Sequence, residues 1–316
     1  MATRQTALSR ARSGRALLGV EPLEDRTCLS TLSVSGHILS ITGDASANSQ
    51  ISIRDDGHGD VTASVRAKGV TKSISAHGVS GIVVHTGNGD DSVSYSLTGK
   101  MTTSRSITID LGSGQDAALL NFSKGVSASG LNVKVHDGSG TDRVAAIFGA
   151  IHNTHLNLTS SGGSDIDLFD ARFDGAITGT ANVVVNAQNG AGWNGIDIGF
   201  QSNIASTSHV AVNAVGGKNP GTIHVNYQGQ LDGSLVINEH AGRSGDFLAS
   251  KVTLAPGSTG RLQDHLMGGV GDDLLMLNLK DNSHRMKSVQ ASVNGGAGFN
   301  LAYVSGKVAV SHAHVV

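Results

Sequence analysis

Aspartates that close glycine-rich strings are the residues of this chain whose type and spacing could do chemistry. Asp91 ends Gly87-Asn88-Gly89-Asp90-Asp91, Asp116 ends Gly112-Ser113-Gly114-Gln115-Asp116, and Asp142 ends Gly138-Ser139-Gly140-Thr141-Asp142. Asp90, Asp137 and Asp165 sit in or beside such turns, and Asp272-Asp273 occupies a later one. A carboxylate in a glycine turn accepts hydrogen bonds from nearby backbone N–H groups, which is ordinary turn chemistry. Two carboxylates about 5–10 Å apart could instead serve as acid and base on a glycosidic bond. The acids here are dealt out turn by turn and not gathered in one irregular place, so catalysis is the weaker expectation.

The turn resembles the nonapeptide Gly-Gly-x-Gly-x-Asp-x-U-x of calcium-binding RTX repeats, in which U is a large apolar residue. Gly268-Gly269-Val270-Gly271-Asp272-Asp273-Leu274-Leu275-Met276 fits in full, and Gly295-Gly296-Ala297-Gly298-Phe299-Asn300 has Asn for Asp. The copies at Asp91, Asp116 and Asp142 keep the second Gly, the fourth Gly and the Asp. The resemblance implies calcium as cofactor, held by about 6–8 oxygens from carboxylates and turn carbonyls. Asp91, Asp116 and Asp142 are then the implied ligands, with Asp90, Asp137 and Asp165 as helpers and Asp272 with Asp273 as a second group. RTX nonapeptides run in direct tandem, whereas each unit here carries one copy, so ligands would have to come from axially adjacent turns. Plain glycine–aspartate turn chemistry is the reading we favour.

Those turns need strands to hold them. Ile82-Val83-Val84-His85 leads into the first, and the pattern recurs as Ile107-Thr108-Ile109-Asp110, Val133-Lys134-Val135-His136, Val183-Val184-Val185-Asn186, Val210-Ala211-Val212-Asn213 and Leu235-Val236-Ile237-Asn238. Period-two apolar residues bounded by glycine are strand signals. The residue closing each strand is His85, Asp110, His136, Thr159, Asn186, Asn213, Asn238, Met267 or Asn294, and all but Met267 are polar. A repeat of roughly 26 residues suits one coil of two or three short strands. We therefore predict an all-β fold, a right-handed single-stranded parallel β-solenoid of about nine coils. It should span 81–316, with an N-terminal cap and irregular first coils over 31–80. Stacking should bring the polar residues into a hydrogen-bonded ladder, and Tyr95, Leu120, Phe169, Phe200, Tyr227, Leu277 and Val304 into an apolar stack inside the coil.

Composition agrees with that architecture. The chain has 316 residues with 43 Gly, 3 Pro, 3% aromatic residues and 38% hydrophobic residues. Glycine does not recur every third residue, which excludes collagen, and the apolar content is enough to bury a core. With a net charge of −2 the chain has no general attraction for a phosphate backbone, so nucleic acid is not an expected partner. No apolar run of about 18 residues is present to cross a bilayer as a helix. The 14 His include His85 and His136 in the ladder and His312 and His314 near the end, none in a metalloprotease context. The Gly-x-Gly strings precede no helical pattern, which removes the phosphate-loop reading, and no serine–histidine–aspartate arrangement stands out.

The first thirty residues have another character. Arg4, Arg10, Arg12 and Arg15 precede a short apolar stretch, and then comes Val20-Glu21-Pro22-Leu23-Glu24-Asp25-Arg26-Thr27-Cys28-Leu29-Ser30. This segment resembles the LEPR-XLL motif of exported bacterial surface proteins. Glu21, Pro22, Arg26, Leu29 and Ser30 match it, while Val20 and Cys28 stand where the family has Leu. The resemblance implies an extracellular or cell-surface destination for a chain whose residues 1–30 act as an export or sorting segment. The expected function is a non-enzymatic scaffold, spacer or adhesin-like surface protein, with envelope polysaccharide or other surface proteins as partners. The competing readings are a polysaccharide lyase or hydrolase and a calcium-dependent carbohydrate-binding module. Trp193, the lone tryptophan, lies in the long turn Gln188–Gly195 and is expected to be packed or capping.

Overall fold

The computed structural model describes residues 30–306 and 313–314. Residues 1–29, with Cys28 and all of the LEPR-XLL-like segment except Ser30, lie outside the described residues, as does His312. Every regular element described is a strand. Two twelve-stranded sheets form the long walls of a parallel β-solenoid of about 8 turns, with about 27 residues per turn. Each turn contributes one strand to each wall, as Gly130–His136 does to the first sheet and Asp142–Phe148 to the second.

Alternation decides which side chains enter the lumen. Along Asp142–Phe148 the buried positions are every second residue, so Val144, Ala146 and Phe148 point inward. A third, shorter wall closes the coil. It is a bridge-connected column of Met101, Val126, Ile151, Ile177, Ile204 and Leu231, all buried. Phe122, Phe148, Phe173 and Phe200 stack face to face at 4.4 to 4.9 Å between ring centroids, and Tyr227 continues their column.

The apolar stack is therefore real but resolves into several columns. Tyr95, Leu120, Leu277 and Val304 share one column, Phe200 and Tyr227 a second, and Phe169 a third. The polar ladder needs a similar correction. His85 faces Asp110 and Asp110 faces His136, but His136 faces Ser161 and not Thr159. Thr159, Asn186, Asn213 and Asn238 align in a neighbouring column two residues earlier in each strand, and Met267 with Asn294 belongs to the first column again. Both columns face outward, and period-two alternation gives two such positions per strand, so the sequence alone let the register slip between them. The asparagines do bond along the axis, Asn213 Nδ2 to Asn186 Oδ1 and Asn238 Nδ2 to Asn213 Oδ1, each at 2.9 Å.

The N-terminal end is built differently. Thr31–Ser35 and Ile38–Thr42 pair antiparallel, and Ser49–Asp55, Val61–Ala67 and Val70–Ala76 form an antiparallel meander. Ile38–Thr42 and Ser49–Asp55 then pair parallel with the first regular strands, Gly81–His85 and Ser92–Leu97, so the meander lies at the end of the stack.

Candidate functional site

The glycine turns connect the first sheet to the second, and parallel register places their last residues one above another. Ser49, Asp91, Asp116, Asp142, Asp167, Asn194, Gly221, Asp246, Asp273 and Asn300 form one column. Its aspartates are buried. Asp91, Asp116, Asp142, Asn194, Asp246, Asp273 and Asn300 each reach back one coil to cap a backbone N–H, whereas Asp142 N–H donates to the Ile166 carbonyl and leaves Asp167 Oδ1 without a partner. Asp91 N–H donates to Asp116 Oδ1 at 2.7 Å, Asp116 N–H to Asp142 Oδ1 at 2.9 Å, and Asp246 N–H to Asp273 Oδ1 at 2.8 Å. Asn194 and Asn300 do the same for Asp167 and Asp273 with an amide oxygen, at 2.8 Å each. Asp and Asn are interchangeable here because the job requires only a short side chain carrying an acceptor.

The second carboxylate oxygen separates two kinds of turn. In the coils of Asp167, Asp246 and Asp273, the N–H of the glycine four residues earlier donates to Oδ2, from Gly163, Gly242 and Gly269 at 2.6, 2.6 and 3.0 Å. In the coils of Asp91, Asp116 and Asp142 that glycine adopts positive φ, at Gly87, Gly112 and Gly138, and Oδ2 is buried with no partner. Burial raises the carboxyl of Asp116 to about 7 and that of Asp142 to about 6, and it raises Asp91 as well. Asp137 lies in the neighbouring column with Oδ1 unpartnered and is raised to about 8, first by burial and then by Asp167 and Asp142.

The sequence-derived residues thus divide. Asp91, Asp116, Asp142 and Asp273 share the buried column, and Asp137 abuts it. Asp90, Asp165 and Asp272 lie on the exposed turn tips, where they accept backbone N–H bonds from Gln115, Gly140 and Phe299. Asp167 and Asp246 belong to the column and were missed, because their turns lack Gly-x-Gly. The signal that would have found them is a glycine four residues before Asp or Asn, as in Gly163 with Asp167 and Gly242 with Asp246.

A calcium ion needs about 6–8 oxygens at 2.3–2.6 Å. The column offers one uncommitted carboxylate oxygen in each of the coils of Asp91, Asp116, Asp142 and Asp167, at coils about 4.8 Å apart, and none at Asp246 or Asp273. Among the described residues no three His, Cys, Asp or Glu side chains converge into a set that could hold a metal ion. The donor set as placed does not fit the calcium shell that the RTX resemblance implies, and turn capping engages one oxygen each of Asp91, Asp116 and Asp142 and both oxygens of Asp273.

Two more features lie away from the turns. Glu239 and Asp264 are buried inside the lumen, with both oxygens of Glu239 and Oδ1 of Asp264 unpartnered, while Ser250 Oγ donates to Asp264 Oδ2 at 2.7 Å. Burial raises Glu239 well above the ordinary range and Asp264 to about 7. On the outside, Trp193 is 66% exposed and so is not the packed or capping indole expected. It sits on a turn tip between Ile166 and Pro220 of the adjacent coils, and it lines a groove of about 610 Å³ with those two residues, Leu168, Phe247 and Leu274.

No protein-family model, no curated protein and no solved structure matches this chain.

The outer face of the same strands carries charged groups one outward position beyond the residues that line that groove. Asp170 and Asp197 face each other on adjacent coils, and Asp197 Oδ1 lies 3.2 Å from His224 Nδ1. Asp170 is raised by burial and by Asp197.

Proposed function

We propose that this protein is a non-enzymatic extracellular or cell-surface repeat protein that serves as a stiff scaffold or spacer. One observation carries the reading: the aspartates of the glycine turns are spent on joining coil to coil. Asp91, Asp116, Asp142, Asp246 and Asp273, with Asn194 and Asn300, each accept a backbone N–H from the coil before, along one column. Chemistry on a substrate requires convergent groups that face solvent. A continuous ladder of backbone and side-chain bonds along one axis instead yields a rod, about 40 Å long for 8 turns at the usual strand spacing. The destination rests on the LEPR-XLL resemblance of residues 20–30.

A second reading, a polysaccharide hydrolase, is favoured by one observation, the Asp170–Asp197 pair beside the Trp193 groove. Carboxyl groups about 5 Å apart, one of them raised, are what a retaining glycosidase uses. Incubation of the full chain with neutral and acidic polysaccharides, followed by assay of new reducing ends and of unsaturated products, separates the two. The scaffold reading expects neither product. Product formation abolished by Asp170→Asn would replace it with the hydrolase reading. Fractionation of bacterial cells making the full chain, with and without residues 1–30, tests the destination: envelope or medium for the full chain, retention in the cytoplasm for the truncated one.

A further inference from the structure

We propose that the entry edge of the second sheet's outer face binds a neutral, extended polysaccharide of β-linked pyranoses laid along the solenoid axis. The inference rests on the scaffold reading, since it takes the groove to hold a glycan and not to cut it.

The placement of the aromatic residues points there. The chain has 7 Phe, 3 Tyr and 1 Trp. Those outside the core are Trp193, Phe247, Phe299 and Tyr303, and all four fall on this edge, spread over three neighbouring outward columns, with Trp193 and Phe247 lining the groove. Trp193, Phe299 and Tyr303 are 66%, 79% and 58% exposed, and Phe247 is half-buried. Single exposed apolar residues need no explanation, but a contiguous stripe of them marks an interaction surface.

Register gives the stripe a repeat. The coil of Trp193 pairs with that of Thr222, which pairs with that of Phe247, then that of Leu274, then that of Leu301 and Phe299. Trp193 and Phe299 therefore share one column, Phe247 lies two residues further along in the next, and the three recur on every second coil in a staggered row whose repeat is measured along the axis. Coils lie about 4.8 Å apart, so the aromatic platforms repeat at about 10 Å. That period matches the disaccharide unit of an extended β-linked glycan, in which alternate rings present the same face. The axial C–H groups of a β-pyranose make that face apolar, suited to an aromatic ring.

The floor and rim fit the same ligand. Gly195 lets Leu168 close over the strand beside Trp193, since a Cβ there would lie 2.9 Å from Leu168 Cδ2 and 3.5 Å from Thr222 Oγ1, and this gives the groove an apolar floor. The Asp197–His224 pair stands one position further along the strands and Asp272 at the rim, supplying acceptors and a donor for hydroxyl groups. The three outward positions of each coil from Trp193 to Tyr303 include no Lys or Arg, so an acidic polymer or nucleic acid meets no cation. Along the groove itself a peptide could not add as a strand, because Asn194–Phe200, Gly221–Gly229, Phe247–Leu254 and Leu274–Asp281 are interior to the sheet and paired on both sides; among the described residues Leu301–Gly306, at the far end of the stripe, is the sheet's edge.

Trp193 is the only tryptophan, so emission from the full chain reports this site alone. Titration with cello-, chito- and manno-oligosaccharides of two to six units should shift the emission, with affinity rising once the chain spans two platforms. Native gels containing hydroxyethylcellulose or glucomannan should retard the protein. Trp193→Ala and Phe247→Ala should each weaken that retention by roughly tenfold, while Lys134→Ala on the outer face of the first sheet leaves it unchanged. No shift and no retention with any of these glycans overturns the inference and leaves the scaffold reading standing. Retention that survives both aromatic substitutions, in variants that melt as the wild type does, also overturns it. Sedimentation as a dimer that Trp193→Ala dissociates assigns the stripe to a second copy of the chain and overturns it too. Binding accompanied by cleavage, lost in Asp170→Asn, upholds the site and brings down the non-enzymatic reading instead.

Discussion

Arg105 forms a two-point fork on Asp55, Nε to Oδ2 at 2.7 Å and Nη2 to Oδ1 at 2.9 Å, with both side chains fully buried. Tyr95 Oη donates to the same carboxylate at 2.8 Å, and Gly57 N–H adds a further bond at 2.8 Å. Asp55 ends a strand of the N-terminal meander and Arg105 begins a strand of the first sheet, so the fork pins the antiparallel end to the regular coils.

Removal of one member should loosen that end. Arg105→Met strands a buried carboxylate, a change that typically costs about 3–5 kcal/mol. In a quasi-one-dimensional repeat the loss should appear as early melting of the terminal coils, not as a uniform shift. Hydrogen exchange should show lost protection over 49–76 first, and the double variant Asp55→Leu with Arg105→Met should recover much of it.

The buried carboxyls set a pH dependence. Asp116, Asp137, Asp142 and Asp264 titrate at about 7, 8, 6 and 7 in the folded chain against 3.8 for the ordinary group. Between about pH 4 and pH 8 the folded state then holds more protons than the unfolded one, so stability falls as pH rises through that window. Urea midpoints should be higher at pH 5 than at pH 8. A midpoint that rises with pH would contradict these assignments.

Glu239 offers a direct test of the same effect. Its column neighbours are Ala214 and Leu266, and neither of its oxygens has a partner. Glu239→Leu removes a buried, unpaired polar group from an apolar lumen and should raise stability at pH 8 more than at pH 5. Equal gains at both values would show that the carboxyl does not titrate in this range.

Phe148 sits in the middle of the phenylalanine stack, between Phe122 and Phe173. Truncation of a fully buried Phe to Ala typically costs about 3–5 kcal/mol. Phe148→Ala should lower the urea midpoint sharply, whereas Asn213→Ala on the outer ladder should cost only about 1 kcal/mol, the usual net value of one hydrogen bond.

The turn glycines make a backbone prediction. Gly140 has φ of 120°, and a Cβ there would fall on the carbonyl oxygen of Gly114 in the coil before it. Gly140→Ala should therefore destabilise by more than the conformational preference alone and disrupt the Asp116–Asp142 register. Addition of calcium in place of chelator should not rescue it or move the wild-type melting temperature, because the column is held by backbone N–H groups.

Much of this molecule is written in local pattern. Strands alternating apolar and polar residues, glycine turns at near-constant spacing and an apolar content sufficient for a core determined the all-β parallel solenoid from the amino-acid order alone. Residues that repeat once per coil can bury their inner faces only by stacking. Register was another matter: outward positions two residues apart look alike along a strand, and only pairing with the next coil separates the Asn186–Asn213–Asn238 column from that of His85, Asp110 and His136. The tertiary structure also decided which oxygens of the turn aspartates are spent, since that depends on the φ of a glycine four residues away and on the backbone one coil before. It placed Trp193, Phe247 and Phe299 on one face, and it joined Asp55 to Arg105. Fifty positions separate those two in the chain, and no short-range pattern carries a contact made across the end of a lumen.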